Sequence, residues 1–288
     1  MNDYIIFTDS GCDMPSELLE QWQVRSLPLS FRFSGDGREY YNNGISIGEF
    51  YRRMRDGEVA KTSAVNPEEF MRAFEGAIAE GKGVLYIGFS SALSTTYNSA
   101  KCAIERLRER YPKARMRALD TLCASAGEGL LLRLAVKRRD ENFSLDELYN
   151  YLEKMKGKIS HWFTVDDLVY LKRGGRVNAV TALIGNSFGI KPVLHVDDGG
   201  RLVGVTKVRG RRSSIAALKD RYSALAENPR EGTVFISHAD CPSDAELLAD
   251  MIYDGFGVRA ELITDVGTVI GAHSGPGTLA LFFVGRER

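Results

Sequence analysis

The sequence predicts an α/β protein with two domains, an N-terminal α/β/α domain built on a parallel sheet and a C-terminal α+β domain with a mixed sheet. Over the first 160 residues, short apolar runs that end in small polar residues alternate with helical segments, which is typical of parallel sheets. Beyond that point, the segment Asp197-Asp198-Gly199-Gly200 predicts a β-hairpin that breaks the alternation. The 288 residues suffice for two ordinary domains, and we expect these to span residues 1–160 and 161–288.

Short buried runs and helix-start residues place the elements of the first domain. The apolar run Tyr4–Phe7 predicts the opening strand, and Pro15 lies where the first turn of a helix tolerates proline. The polar segment Val59–Asn66 is expected to be irregular and to lead into a helix that begins at Pro67. Further strands are predicted at residues 24–33, 83–88 and 116–119, and further helices at residues 95–110, 124–138 and 145–156.

The second domain mixes the predicted hairpin with strand–helix alternation. The glycine-rich segment Gly271–Gly277 is expected to form a loop before the last strand. Strands are predicted at residues 190–196, 201–207, 233–238, 259–264 and 279–284, and helices at residues 213–226 and 243–253.

Composition narrows the functional classes. The 38 Lys and Arg residues balance the 38 Asp and Glu residues, so the chain lacks the basic excess typical of nucleic-acid-binding proteins. Its four cysteines form no CxxC pair, the N-terminus has no signal-peptide pattern, and no run approaches the roughly 18 apolar residues of a membrane span. No phosphate-loop, dinucleotide or zinc-protease motif occurs. We therefore expect a cytoplasmic protein with no nucleic-acid partner, membrane insertion, cofactor or metal.

Hydroxyl side chains cluster at two predicted loop positions. Thr62 and Ser63 precede a helix N-terminus, where hydroxyls and free N–H groups can hold a carboxylate or phosphate, although helix capping also explains such residues. The second cluster follows the strand predicted at residues 83–88 and consists of Ser90, Ser91, Ser94 and Thr95.

One histidine and two basic clusters are further candidates. His273 lies among glycines and a proline, including Gly275, so the backbone there can approach a ligand closely. The basic clusters contain Arg173, Arg176 and Arg209, whose guanidinium groups suit carboxylate or phosphate if they converge, although solvated charge at turns is the plainer interpretation.

Two functions, a serine acyl hydrolase and a small-anion-binding module, are alternatives that fit these residues. The order Ser90, Asp120, His273 matches the triad order of α/β-hydrolases, so a serine acyl hydrolase with Ser90 or Ser91 as nucleophile and His273 as base is one alternative. The chain lacks an early oxyanion loop of the HGGG type, which argues against it. A regulatory module that binds a small anion is the other alternative.

Taken together, these segments resemble the DegV family. The resemblance spans nearly the whole chain, and Thr95 stands where the family commonly has glycine. The matching segments agree in order and spacing and are Thr8-Asp9-Ser10, Thr62-Ser63, the runs Ser90–Ala100 and Leu171–Arg176, and His273–Thr278.

This resemblance implies a non-enzymatic protein that binds one long-chain fatty acid between two domains. It further implies the fatty-acid-binding subunit of a bacterial fatty-acid kinase, in which a separate kinase subunit converts the bound carboxylate to an acyl phosphate for phospholipid synthesis. By the same resemblance, the carboxylate is held by Thr62, Ser63, Ser91 and His273, with Ser90, Ser94, Thr95 and Gly275 as secondary candidates. The surface that meets the kinase or its phosphate would contain Arg173, Arg176 and Arg209.

Overall fold

The computed structural model describes residues 3–42, 44–176 and 189–288, which form three sheets and the helices around them. In chain order, the first elements are β1 (Tyr4–Asp9), α1 (Ser16–Gln21), β2 (Val24–Leu27), β3 (Ser30–Phe33), β4 (Glu39–Tyr41), α2 (Ile47–Arg55), β5 (Ala60–Ser63), α3 (Pro67–Ala79), β6 (Gly83–Gly88), α4 (Thr96–Arg110), β7 (Met116–Asp120), α5 (Ala126–Asp140) and α6 (Leu145–Met155). The later elements are β8 (Ile159–Thr164), α7 (Val169–Arg173), β9 (Ile190–Val196), β10 (Leu202–Arg209), α8 (Arg211–Leu225), β11 (Val234–His238), α9 (Pro242–Phe256), β12 (Leu262–Asp265), α10 (Thr268–Ser274) and β13 (Leu279–Val284).

The predicted parallel sheet is confirmed, with strand order β2-β1-β6-β7 and every pairing parallel. The central strand β6 is buried along its whole length, because helices cover both faces of the sheet. On one face, α3 and α4 share a core cluster with the sheet, and Phe74 of α3 meets Phe7 of β1 edge to face, with ring centroids 5.1 Å apart. The carboxyl ends of β1, β6 and β7 therefore meet at one edge of the sheet. In sheets of this kind, ligand sites lie at that edge.

A separate three-stranded antiparallel sheet, β4-β3-β5, was not predicted. The single strand expected at residues 24–33 is instead two strands in different sheets, because the chain turns at Pro28, which has no N–H for a ladder. The segment expected to be irregular contains β5, in which Thr62 pairs with Phe31 of β3. Its sequence, Ala-Lys-Thr-Ser, has little strand character, so pairing with a neighbouring strand determines its conformation.

The second large sheet is mixed, as predicted, with strand order β10-β9-β8-β13-β11-β12. The expected hairpin is present, since β9 and β10 pair antiparallel from Val196 and Leu202 at the turn. Strands β11 and β12 are parallel, and the other pairs are antiparallel. The boundary predicted at residue 160 falls just inside β8 and stays a prediction.

Helix α5 lies between the two large sheets. Its first half, Ala126–Leu132, is buried on all sides, and Leu130, Leu131 and Leu132 are fully buried. It contacts β6 of the first sheet and β8, β11 and β13 of the second. Residues of both sheets therefore join in one core cluster around this helix.

The side chain of Arg288 fastens the end of the described chain to the loop after β7. It is buried, and its guanidinium donates hydrogen bonds to the carbonyl oxygens of Thr121 (3.2 Å), Leu122 and Lys156. A guanidinium has five N–H groups, so one side chain can satisfy several carbonyls of this junction together.

Within residues 3–42, 44–176 and 189–288, no helix has the length and apolar character to cross a membrane. Within the same residues, no group of three or more His, Cys, Asp or Glu side chains is arranged to hold a metal ion.

Candidate functional site

A cavity of about 220 Å³ lies where β5, α5, α10 and the inner face of the mixed sheet meet. Much of its wall is apolar, and it includes Phe89, Phe163, Val269 and Phe282. Pockets of this kind are typical sites for small, largely apolar molecules, which they hold by removing hydrocarbon from water.

One part of the wall pairs a hydroxyl with an imidazole. The Oγ1 atom of Thr62 lies 2.9 Å from Nε2 of His273, within hydrogen-bond distance. Thr62 is placed by β5, and His273 lies near the end of the short helix α10, where the sequence predicted a loop. The glycines around His273 therefore do not prevent a helical turn, because the segment packs against the three-stranded sheet and α7.

Burial keeps His273 neutral. Loss of hydration, with a smaller effect from the positive charge of Arg176, lowers the pKa of His273 from 6.5 to about 4. Its second ring nitrogen, Nδ1, has no hydrogen-bond partner among the described residues and faces Gly174, where an added Cβ would lie only 2.3 Å away. The ring is thus fixed between Thr62 and the end of α7.

The start of α4 adds the hydroxyls of Ser94 and Thr95 to the same wall. The wall also includes Ser63 of β5 and Arg176. The Ser94 hydroxyl accepts a hydrogen bond from the backbone N–H of Thr96, whereas the Thr95 side chain makes no capping bond. The N-terminus of a 15-residue helix carries partial positive charge, which favours a carboxylate nearby.

Ser90 and Ser91 do not line this cavity. Ser90 is fully buried, and its hydroxyl donates to the carbonyl oxygen of Gly200 at 2.9 Å. Ser91 lines an adjoining cleft together with Arg176 and Arg201. Of the four residues predicted to hold a carboxylate, the structure therefore brings Thr62, Ser63 and His273 to one cavity wall and places Ser91 beside it.

The arrangement lacks the contacts of a hydrolase triad. Nε2 of His273 pairs with a threonine, and no described serine forms a hydrogen bond with this imidazole. Asp120 accepts hydrogen bonds from the backbone N–H groups of Ser91 and Leu122 and so stabilises a turn. Since a triad requires a serine, an imidazole and a carboxylate in sequence, this geometry favours binding over hydrolysis.

The remaining predicted residues lie outside the cavity wall. Gly275 has a φ of +81°, and an added Cβ would lie 2.2 Å from the ring of Tyr170, so its lack of a side chain serves packing. Arg173 is exposed on α7 above the same ring, with its Cζ atom 5.9 Å from the ring centroid. Arg209 is exposed at the end of β10, and of the basic residues predicted to meet a partner only Arg176 lines the cavity.

Sequence reasoning missed a second polar group on the cavity wall. Ser125, at the N-terminus of α5, donates a hydrogen bond to Oδ2 of Asp13 at 2.6 Å, and its Oγ lies 3.1 Å from that of Ser237 on β11. Burial raises the pKa of Asp13 to about 8, so this carboxyl carries a proton at neutral pH. The small residues after Asp120 were the available signal, since they follow a strand of the parallel sheet.

Comparisons with known proteins agree along the whole chain. A family model described as an uncharacterised protein of the DegV family matches residues 4–286. A DegV domain-containing protein from Clostridium perfringens is 42% identical over 99% of this chain and 98% of its own length. One from Streptococcus pyogenes is 34% identical over 99% of both chains.

Solved structures are similar in fold over the same extent. A fatty-acid-binding DegV family protein from Thermus thermophilus has a TM-score of 0.89 and 28% identity, covering 98% of this chain and 99% of its own. A DegV lipid-binding protein from Thermotoga maritima has a TM-score of 0.87 and 30% identity, with complete coverage of both chains. A stearic-acid-binding protein from Eubacterium ventriosum has a TM-score of 0.88 and 26% identity, covering 98% of each.

Proposed function

The chain belongs to the DegV family, and we propose that its cavity binds one long-chain fatty acid. The observation that carries this proposal is the pairing of a neutral imidazole and hydroxyls with a largely apolar cavity. Thr62, Ser63 and His273 would hold the carboxylate, and the apolar wall would enclose the acyl chain. The relatives described as binding fatty acid or stearic acid support this assignment.

Hydrogen bonds, rather than a buried counter-ion, would stabilise the carboxylate. A carboxylate removed from water is very costly unless its oxygens accept hydrogen bonds. With the proton of His273 on Nε2, the imidazole donates to Oγ1 of Thr62, which frees the threonine O–H to donate to the ligand. The N-terminus of α4 and the nearby guanidinium of Arg176 add favourable charge.

The acyl chain would supply most of the affinity. Each methylene that leaves water contributes about 0.8 kcal/mol, so affinity should rise with chain length until the cavity is filled. Short carboxylic acids such as acetate should therefore bind weakly, although they carry the same charged group.

Mass spectrometry of an organic extract from the purified protein tests the proposal. We expect a near-stoichiometric long-chain fatty acid, together with rebinding of palmitate or oleate by the delipidated protein. A clean extract and no uptake of either acid would overturn the proposal and favour the small-anion module, for which the cleft beside Ser91, Arg176 and Arg201 offers a site.

We further propose that the protein works in the cytoplasm and presents the bound carboxylate to a separate kinase subunit, which forms the acyl phosphate. The resemblance described above motivates this step. The exposed Arg173 at the end of α7 supports it, because the next residue, Gly174, packs against the imidazole of His273. Arg173→Ala should leave fatty-acid affinity intact and slow phosphorylation by the kinase. Arg230→Ala, a change of another exposed arginine, is the matched control. Loss of lipid binding in Arg173→Ala would place this residue in the binding site instead.

A further inference from the structure

Glycines allow two segments of the chain to approach each other closely beside the carboxylate site. One segment leads into α7 and runs through it, and the other comprises the last turn of α10 and the residues after it. At three points, a side chain of one segment occupies the space where the facing glycine would carry a Cβ, and we call these contacts the α7–α10 seam. They pair Asp166 with Gly277, Tyr170 with Gly275, and His273 with Gly174, and an added Cβ would lie 2.2, 2.2 and 2.3 Å from the facing side chain, respectively.

Gly174 is needed for space and not for its backbone freedom. Its φ of −70° and ψ of −12° are helical values that any residue adopts. A Cβ at this position would lie 2.3 Å from Nδ1 and 3.1 Å from Cγ of His273. Nonbonded heavy atoms pack best at about 3.5–4.0 Å, so either the imidazole or α7 must shift when a side chain is introduced here.

The imidazole has little room to shift, because its other nitrogen is engaged. Nε2 lies 2.9 Å from Oγ1 of Thr62, and Thr62 is fixed in β5 by its pairing with Phe31. A push on Nδ1 therefore moves or tilts Nε2 relative to this hydroxyl, and a hydrogen bond weakens steeply as its angle falls. The contact between Gly174 and the ring thus sets the geometry of the pair formed by Thr62 and His273.

The other two contacts of the seam hold α7 in place. Asp166 accepts a hydrogen bond from Nζ of Lys191 at 2.7 Å, which ties the seam to β9 of the mixed sheet. The ring of Tyr170 lies against Gly275, whose φ of +81° favours glycine. Asp166 and Tyr170 do not line the cavity, so they act on a ligand there only through the elements that they position.

We propose that Gly174 is a positioning residue for His273, and that the α7–α10 seam gives the cavity its preference for a free carboxylate over an uncharged head group. The imidazole, by donating to Oγ1 of Thr62, leaves the threonine proton for the ligand. When the ring is displaced, a bound carboxylate loses part of this support, and a buried charge depends on its hydrogen bonds far more than a neutral hydroxyl does. This inference rests on the proposed binding of fatty acids.

The test compares the affinities of delipidated protein for palmitate and for 1-hexadecanol, which has the same tail and no charge, by competition with a fluorescent fatty acid. In Gly174→Ala, we expect the ratio of the palmitate affinity to the hexadecanol affinity to fall about 10-fold, the range expected for a hydrogen bond that supports a charge. Gly157→Ala should keep the wild-type ratio and is the matched control, because nothing lies within 4 Å of an added Cβ there. A general loss of binding cancels in this ratio.

Two further variants show whether the imidazole carries the effect. In His273→Gln, the ratio should already be low, and adding Gly174→Ala should lower it no further, because both changes disrupt the same contact. Tyr170→Ala loosens the seam instead of crowding it, so it should lower the ratio even if Gly174→Ala does not fold.

An unchanged ratio in Gly174→Ala and Tyr170→Ala, or equal losses of palmitate and hexadecanol affinity, would overturn the positioning role and leave fatty-acid binding intact. The same conclusion would follow if Gly174→Ala lowered the ratio equally in the presence and absence of His273. If palmitate does not bind the wild-type protein, the proposed function fails and this inference fails with it.

Discussion

The neutral imidazole of His273 gives the ligand-free protein a defined dependence of stability on pH. Burial lowers its pKa from 6.5 to about 4 in the folded state, whereas the unfolded chain retains the ordinary value. Between these two values, the unfolded state binds a proton that the folded state does not. The stability that this group contributes is therefore complete above pH 6.5 and is lost as the pH falls toward 4.

The magnitude follows from the two pKa values. At pH 8 both states are neutral and the contribution does not change, whereas at pH 5 protonation of the unfolded state alone removes about 2 kcal/mol. Other buried groups also titrate, since burial raises the pKa of Asp13 and of Glu128 and lowers that of His161. Their effects are common to wild type and to His273→Gln, so the difference between the two proteins isolates His273.

The assay is urea denaturation of delipidated wild type and His273→Gln at pH 8 and at pH 5. We expect wild type to lose about 2 kcal/mol more free energy of unfolding than the variant between these conditions. The measurement at pH 8 is the control, because it records any cost of the substitution that does not depend on protonation. Equal losses in the two proteins would show that the folded state does not exclude the proton from this imidazole, and the reasoning would be refuted.

Three further predictions concern binding and stability. Thr62→Val should weaken fatty-acid binding about 10-fold or more in calorimetry, because the carboxylate loses a hydroxyl donor; Thr62→Ser should not, and an unaffected valine variant would contradict the assignment. Ala280→Leu places a larger side chain on the cavity wall, so competition assays should show a preference for chains shorter by about two carbons; an unchanged optimum would mean that Ala280 does not limit length. Arg288→Met leaves carbonyls without donors and should lower the free energy of unfolding by about 2–3 kcal/mol in urea. Arg286→Met, which loses one 3.4 Å bond of an exposed side chain, should cost far less, and equal costs would count against the buried junction.

The two large sheets could be predicted from the sequence because the patterns that indicate their strands and turns are local. A buried apolar run such as Gly83–Gly88 and a turn such as Asp197–Gly200 determine a strand and a hairpin wherever they occur. The small antiparallel sheet has no such signal, since Ala60–Ser63 is a strand only because β3 lies beside it. Elements that depend on a distant partner were therefore those that prediction missed.

The candidate site likewise contains residues that were predicted from the sequence and one that was missed. Family resemblance selected Thr62, Ser63 and His273, and the structure brings them to one wall although 211 positions separate Thr62 from His273. Ser125 escaped notice because its significance lies in a positive φ and in contacts with Asp13, which no local pattern indicates. Residue type suggests chemistry, but which hydroxyl faces the cavity depends on packing between elements.

Helix α5, buried between both large sheets, determines how the protein unfolds. Because its leucines belong to a core that both sheets share, neither half can melt while the other stays intact, and calorimetry should record a single cooperative transition for the whole chain. A fragment that ends at residue 160 would keep α5 but leave one side of it facing water, so it should self-associate. It also follows that a ligand enters by local movement at the rim of the cavity, since parting the two halves would require breaking their common core.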